Sequence, residues 1–370
     1  MNRDETARNS AQVIRASSLT RRSANIRVNP PSPAAVSVSY DALLLISFGG
    51  PERSRDVIPF LENVVRGKEV PRERLLAVAE HYELFGGFSP SNAQNRALLA
   101  ALVNELNAHG PALPVYWGNR HWHPMLADTL RQMADDGIQH ALAFVTSAFS
   151  SYPGCRAYLE DIEHARQEVG ENAPQVDKLR VFYNHPGFIE PMAERLQAAL
   201  AEIPAERRTA ARVIYTAHSL PLAMAQACPY QQQLREACRL VSERVGLRDW
   251  QLVYQSRSGP PSQPWLEPDI GNYLRQWAGD HPGGDVVVVP IGFVSEHMEI
   301  VYDLDLATRS VCEQLRLNMV RAAVVGCHGR FVQMIRELIN ERIQPYPERL
   351  ALGPDGPFPD HCPPDCCPGS

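Results

Sequence analysis

Residues Asp285 to Asp305, DVVVVPIGFVSEHMEIVYDLD, place Glu296, His297, Glu299, Asp303 and Asp305 just after four consecutive valines. An imidazole among carboxylates can pass protons or ligate a cation. On a helix, Glu299 and Asp303 would share one face, and like charges gathered there would raise a carboxylate's pKa toward neutrality. The plainer reading is a solvated helix start, with Ser295 as cap and acids in the first turn. His218 follows a second apolar run, ARVIYTA, beside Ser219 and Pro221. Alone, it reads as readily as a structural histidine. If both run ends open onto one cleft, His218 and Glu299 form a proton-transfer pair or part of a metal site. Sulfur is concentrated at the other end of the chain, where Cys362-Pro363-Pro364-Asp365-Cys366-Cys367 puts three thiols within six residues. Without a secretory signal these are a poor disulfide framework. Three thiolates instead invite a metal or iron–sulfur site short of one ligand. Cys228, Cys238 and Cys312 fall in helical stretches and Cys327 beside a strand, so they read as small buried hydrophobes.

Positioning these groups requires a regular scaffold. Ala42–Phe48, Val115–Gly118, Ala141–Thr146 and Leu179–Phe182 read as strands, and Arg212–Thr216, Trp250–Gln255, Val286–Val289 and Arg321–Val325 as a second set. Helical stretches alternate with them, among them Asn95–His109, Tyr158–Val169, Tyr230–Val245, Leu306–Leu317 and Phe331–Arg342. Short β-branched runs bounded by Gly and Pro fit strands buried on both faces. The expected fold is α/β, with two similar doubly wound Rossmann-like halves, parallel sheets and a cleft between them. The turn-and-proline pattern repeats at Phe48–Pro51 and His218–Pro221, a weak sign of duplication. Ligands in such sheets bind beyond the carboxyl ends of the strands. The divisions are a tail over 1–36, halves over 37–185 and 186–345, and a Cys-rich tail over 346–370. The turn after Phe48 lacks G-x-G-x-x-G spacing, so no dinucleotide site is read there.

Composition bounds the function. The chain has 370 residues, 44% hydrophobic and 21% charged, as in ordinary globular proteins. A net charge of −6 without a basic stripe excludes a nucleic-acid partner. No apolar run approaches the ~20 residues that span a bilayer, so no integral membrane association is expected. Residues 6–40 lack Asp and Glu and carry Arg8, Arg15, Arg21, Arg22 and Arg27. This reads as a disordered tail, or alternatively an organellar leader. A cytoplasmic monomer is the expectation.

Seven ordered motifs carry a family resemblance: LLLISFGGP at 43–51, HYELFGGFSP at 81–90, GNRHWHP at 118–124, TSAFSSYPGC at 146–155, TAHSLP at 216–221, YQSRSG at 254–259 and PIGFVSEHMEIVYDLD at 290–305. Over roughly residues 40–345 the chain resembles the ferrochelatases, which insert ferrous iron into a porphyrin in haem synthesis. The resemblance implies that His218 and Glu299 face each other as catalytic pair and Fe2+ ligands, with Glu296, His297 and Asp303 as an acidic conduit. In the family that stripe often continues four residues on, where this chain has Ala307. Phe48, Ser89, Arg120 and His121 fall in the porphyrin-contacting region, where an Arg can pair with a propionate. Phe48 stands where relatives carry Tyr or Met near the metal, and a Phe cannot ligate iron.

The layout is closest to actinobacterial-type enzymes, which act on coproporphyrin III and leave a decarboxylase, a downstream haem-synthesis partner, to finish the haem. Charged residues over 53–84, including Arg53, Arg66, Lys68 and Arg74, favour a soluble enzyme and coproporphyrin III over protoporphyrin IX. Relatives with a [2Fe–2S] cluster join three tail cysteines to one internal cysteine. This implies a cluster on Cys155, Cys362, Cys366 and Cys367, with zinc or free thiols as the alternatives. A non-catalytic tetrapyrrole or iron chaperone would not need both His218 and Glu299. A cluster-based redox sensor would depend on the tail alone. A sirohydrochlorin cobaltochelatase shares the fold but fits the SEHMEIVYDLD and SSYPGC segments less well.

Overall fold

A computed structural model describes residues 39–363 and 365–369, so the expectations for residues 1–36 lie outside it. In chain order the elements are β1 (Ala42–Ser47), α1 (Ser54–Val64), α2 (Arg72–Glu83), α3 (Ser91–His109), β2 (Val115–Asn119), α4 (Leu126–Asp135), β3 (His140–Val145), α5 (Ala157–Val169) and β4 (Gln175–Lys178). The second half continues with α6 (Pro186–Ala201), α7 (Ala205–Arg208), β5 (Arg212–His218), α8 (Leu222–Gln226), α9 (Tyr230–Arg244), β6 (Gln251–Gln255), α10 (Ile270–Asp280), β7 (Asp285–Val289), α11 (Met298–Val301), α12 (Arg309–Gln314), β8 (Asn318–Arg321) and α13 (Gly329–Ile343). Every strand pair is parallel, in the orders β2-β1-β3-β4 and β6-β5-β7-β8. The two halves therefore have one topology, as expected from the alternating pattern.

The central strands are apolar throughout because helices cover both faces. All six residues of β1 and all five of β7 are buried. One apolar cluster joins Leu43 and Leu45 of β1, Leu102 of α3, Leu196 of α6, Tyr215 of β5, Leu234 of α9 and Ile335 of α13. The inner helices α3, α6, α9 and α13 thus bind the two sheets into one core. A smaller cluster holds α1 and α2 together through Val57, Phe60 and Leu61 against Tyr82, and it also includes Met298 of the opposite half.

Several expected elements are displaced, for a shared reason. The apolar run Leu179–Phe182 is not a strand; β4 is the polar segment before it. Likewise β8 ends at Arg321, before the apolar Ala322–Val325. In each half the edge strand is partly exposed, and the buried apolar residues follow it into the core after one more ladder bond. These bonds are Leu179 N–H to the Ala143 carbonyl (2.9 Å) and Ala322 N–H to the Val288 carbonyl (2.9 Å). The expected helix from Leu306 is also broken: a π-helical turn spans Asp303–Thr308 before α12 begins.

After α13 the chain returns across the first half. Arg180 makes a paired hydrogen bond to Glu341 (2.7 and 2.8 Å) and a third bond to the Leu350 carbonyl (2.8 Å). Both charged side chains are buried at 1% exposure, so removing one would leave the other without compensation. Asn184 adds bonds to the carbonyls of Leu352 (3.2 Å) and Gly356 (2.8 Å).

Candidate active site

His218 is the last residue of β5, and the acidic loop follows the neighbouring strand β7. Their approach depends on Gly292, whose N–H bonds the Thr216 carbonyl (3.0 Å). A Cβ at Gly292 would stand 2.7 Å from Ala217 Cα, so any side chain would push the acidic loop off the histidine strand. With the loop seated, His218 Nε2 lies 3.3 Å from Glu299 Oε1, and Nδ1 lies 2.5 Å from the Ser219 carbonyl. That carbonyl accepts, which puts a proton on Nδ1 and turns Nε2 to the carboxylate.

Burial opposes charge on His218, but the facing Glu299, then the Ser219 carbonyl and Asp303, outweigh it and raise the imidazole to about 9. Burial likewise opposes charge on Glu299, yet His218 and then His297 hold the carboxyl down at about 2. The resting pair is therefore an imidazolium and a carboxylate. Asp303 differs: burial and the Glu299 charge raise it to about 6, against a hydrogen bond from Ser256. His297, capping α11 through Nδ1, is lowered by burial.

Glu299 lies in the single turn α11 and Asp303 opens the π-helical turn that continues it, and both carboxylates act on His218. Two residues at the end of β6 hold them. Gln255 donates its side-chain amide to the Glu299 carbonyl, and Ser256, at a left-handed φ of 61°, donates its hydroxyl to Asp303. Neither was assigned from sequence; the YQSRSG segment was the available signal. Arg321 was also missed. It pairs with Glu296 (3.0 Å) and Asp305 (2.5 Å), so both carboxylates are engaged on its guanidinium.

The first half presents a different surface. Phe48 follows β1 and is 42% exposed, its ring 4.5 Å from that of His121. Burial, then Arg120 and Lys68, push His121 down to about 3, so it is neutral. Ser89 is buried against Ser91 Oγ (3.0 Å). Arg120 is turned inward: its guanidinium bonds Asp161, lies 4.4 Å from the Tyr158 ring and is 10% exposed. Arg55, Arg66, Lys68 and Arg74 are exposed along α1, α2 and their connection. Leu76, Leu84 and Phe88 are exposed among them, so the rim is mixed rather than wholly charged. Across the cleft mouth, the His81 ring on α2 stacks on Tyr302 at 3.7 Å. Among the described residues, no helix is long and apolar enough to cross a membrane.

All eight cysteines are free thiols. Buried Cys155 lies in a π-helical turn over Tyr152–Arg156, and Cys155 and Cys362 line one cavity of about 160 Å³. Cys366 Sγ lies 3.5 Å from Cys367 Sγ. Two readings from sequence are corrected here. Cys327 is exposed rather than buried, and Cys228 lies in a turn between α8 and α9, partly exposed, its thiol 3.3 Å from the Met224 carbonyl. Among the described residues, no three His, Cys, Asp or Glu side chains are gathered to hold a metal ion.

Residues 40–343 match the family model described as Ferrochelatase. A ferrochelatase from Rhodopirellula baltica is 55% identical over 329 residues, covering 89% of this chain and 93% of the relative. A coproporphyrin III ferrochelatase from Frankia alni is 51% identical over 341 residues, covering 89% and 87%. Among solved structures, SirB from Bacillus subtilis with Fe3+ superposes with a TM-score of 0.52 at 11% identity, over 83% of this chain and 98% of that one. That likeness establishes the two-half chelatase-like fold.

Proposed function

We propose that this chain, which belongs to the ferrochelatase family and inserts metal into a porphyrin, takes Fe2+ as its metal and coproporphyrin III as its porphyrin, with His218 and Glu299 as the catalytic pair. The observation that carries this reading is the 3.3 Å contact between His218 Nε2 and Glu299 Oε1 at adjoining strand ends. Metallation replaces two pyrrole N–H protons with one Fe2+, so the site must both hold a cation and accept protons.

The electrostatics give an order of events. At neutral pH the pair already holds one proton, on His218. An arriving Fe2+ favours Glu299 as carboxylate and expels that proton, because two positive charges at one imidazole are disfavoured. Asp303, near 6, is the adjacent acceptor, and His297 flanks Glu299 on the other side. The deprotonated imidazole can then accept one pyrrole proton, and the Glu299 carboxylate, freed as iron moves to the macrocycle, can accept the second. Two protein ligands suit a metal that must leave. Glu296, tied to Arg321, contributes negative potential to the outer path.

The porphyrin is assigned to the first half, with Phe48 and His121 as an uncharged platform. Coproporphyrin III carries four propionates where protoporphyrin IX carries two. Arg66 and Lys68, both exposed and both acting on His121 through their charge, are placed to meet them. Kinship with the Frankia alni enzyme supports the same substrate. Arg120 serves here as a support that fixes Asp161 and the turn bearing Cys155, through its bond to the Pro153 carbonyl (3.4 Å).

Family resemblance implies a [2Fe–2S] cluster with Cys155, Cys362, Cys366 and Cys367 as its holders; in the structure Cys155 and Cys362 line one cavity and Cys366 adjoins Cys367 at 3.5 Å, but among the described residues no three of the four are gathered. When bound, it supplies a one-electron centre and Fe–S bonds that fasten the tail. The residues of the cleft carry the metallation.

The test is an anaerobic spectral assay with ferrous iron and each porphyrin separately. Loss of free-base bands with coproporphyrin III, and much slower loss with protoporphyrin IX, is expected. Preference for protoporphyrin IX would overturn the rim assignment. Metallation of neither would remove the catalytic reading of the pair and favour a tetrapyrrole or iron carrier.

A further inference from the structure

Glu299 and Asp303 stand on a segment with little helix of its own. The turn α11 is four residues long, too short to keep its shape without contacts from outside. Tyr302 is the joint between that turn and the π-helical one after it. Its N–H donates to the Met298 carbonyl (2.8 Å), closing the turn that carries Glu299. Its carbonyl accepts from the Ala307 N–H (2.9 Å), closing the turn that Asp303 opens. Whatever fixes Tyr302 therefore fixes both carboxylates.

The second half holds this segment from one side, through Gln255 and Ser256. The first half holds the other. The side-chain oxygen of Gln94 on α3 accepts the Glu296 N–H (3.0 Å). Met298, 6% exposed, sits in one cluster with Val57, Phe60, Leu61, Ala79 and Tyr82, and Val301 and Tyr302 pack against it. The Tyr302 ring lies on the His81 ring, with centroids 3.7 Å apart and planes 12° from parallel. The same cluster reaches the porphyrin platform, because Phe60 meets Phe48 edge to face at 6.2 Å. The last turn of α2 thus connects the surface assigned to the porphyrin with the joint between Glu299 and Asp303.

We infer that His81 is a positioning residue for metallation: through its stack on Tyr302 it sets where Glu299 and Asp303 stand relative to the porphyrin platform. The inference rests on the reading of His218 and Glu299 as the catalytic pair and adds a residue that holds one member in place from the opposite half. In this role His81 touches neither metal nor porphyrin and moves no proton. Its ring acts by shape, so another flat ring can replace it and a chain without a ring cannot.

The test is steady-state anaerobic metallation of coproporphyrin III with Fe2+ by full-length protein. Wild type is compared with His81→Ala, His81→Gln, His81→Phe, Tyr302→Ala and the His81→Ala/Tyr302→Ala pair. Leu76→Ala, exposed on the same helix, is the control. A ring stack shifts a conformational equilibrium about three- to tenfold, so His81→Ala and His81→Gln should lower kcat by that factor. KM for the porphyrin should stay within about twofold of wild type. His81→Phe should restore kcat, and Leu76→Ala should keep it. The pair should be no slower than Tyr302→Ala, since both substitutions remove one contact. If His81→Ala is too unstable to assay, His81→Gln beside His81→Phe decides the same point. Wild-type kcat in His81→Gln, a His81→Phe no faster than His81→Gln, or losses that multiply in the pair would overturn the inference. So would a raised KM at unchanged kcat, which would make His81 part of the porphyrin surface. Wild type that metallates neither porphyrin would instead overturn the catalytic reading of the pair, and this inference with it.

Discussion

The two halves share one strand order, and each has a histidine at the carboxyl end of a strand, but they set its charge in opposite directions. His121, two residues past β2, is buried beside Arg120 and Lys68 and held neutral, near 3. His218, closing β5, faces Glu299 and is held charged, near 9. The scaffold that delivers each ring is the same; the neighbours differ. One half has kept cations and exposed aromatic surface around its strand ends, as suits an anionic, flat ligand. The other has gathered carboxylates, as suits a cation and moving protons. Two halves of one topology are thus distinguished by charge rather than by strand order.

The largest break in this comparison should come from the charged half. Glu299→Gln removes both the carboxylate proposed to bind iron and the cause of the raised His218 pKa. It should slow metallation by ~10²–10⁴, the usual range for a positioned proton-transfer group, with porphyrin binding preserved. Stopped-flow absorbance under anaerobic conditions reads the first, and fluorescence quenching of the porphyrin the second. In the other half, Arg66→Ala with Lys68→Ala should act on binding. KM for coproporphyrin III should rise roughly tenfold, about 1.4 kcal/mol, with kcat nearly unchanged and a smaller effect on protoporphyrin IX. A fall in kcat with unchanged KM would place those cations in the chemistry instead.

Asp303→Asn sharpens the comparison through pH. A proton acceptor near 6 works only when deprotonated, so the wild-type rate should climb as pH rises through about 6 and be lost below it. The variant should lack that limb and be a few-fold slower at pH 7.5. The sign for stability is also fixed: a carboxyl whose folded pKa is raised disfavours folding above that pKa. Asp303→Asn should therefore melt higher than wild type at pH 8 and no higher at pH 4. The smallest effect belongs to His121→Gln. Because His121 is already neutral, its replacement should change the rate by less than about threefold and leave the pH profile unmoved.

How much of this was legible in sequence depends on how local each cause is. The buried strands β1 and β7 were readable because parallel strands covered on both faces are continuous apolar runs. The edge strands β4 and β8 were misplaced together, since exposed edges are polar and the apolar runs after them cross into the core unpaired. The identities of His218 and Glu299 were legible from strand-end position and family resemblance. Their charge states were not, because these depend on a 3.3 Å approach made possible by Gly292 beside Ala217. Gln255 and Ser256 carry no periodic or charge signal, and their role follows from a π-helical turn that no spacing announced. Cys228 was read as a buried helical residue because nothing in its local spacing marks the break between α8 and α9 that leaves it partly exposed.

Nitrogen-15 NMR of histidine-labelled protein tests the division of charge most directly, with the two rings assigned from His121→Gln and His218→Gln samples. His218 should remain an imidazolium through pH 8, and its midpoint should fall toward the ordinary 6.5 in Glu299→Gln. His121 should stay neutral down to pH 5. Both rings titrating together near 6.5 in wild-type protein would contradict the assignment of proton transfer to one half and porphyrin binding to the other.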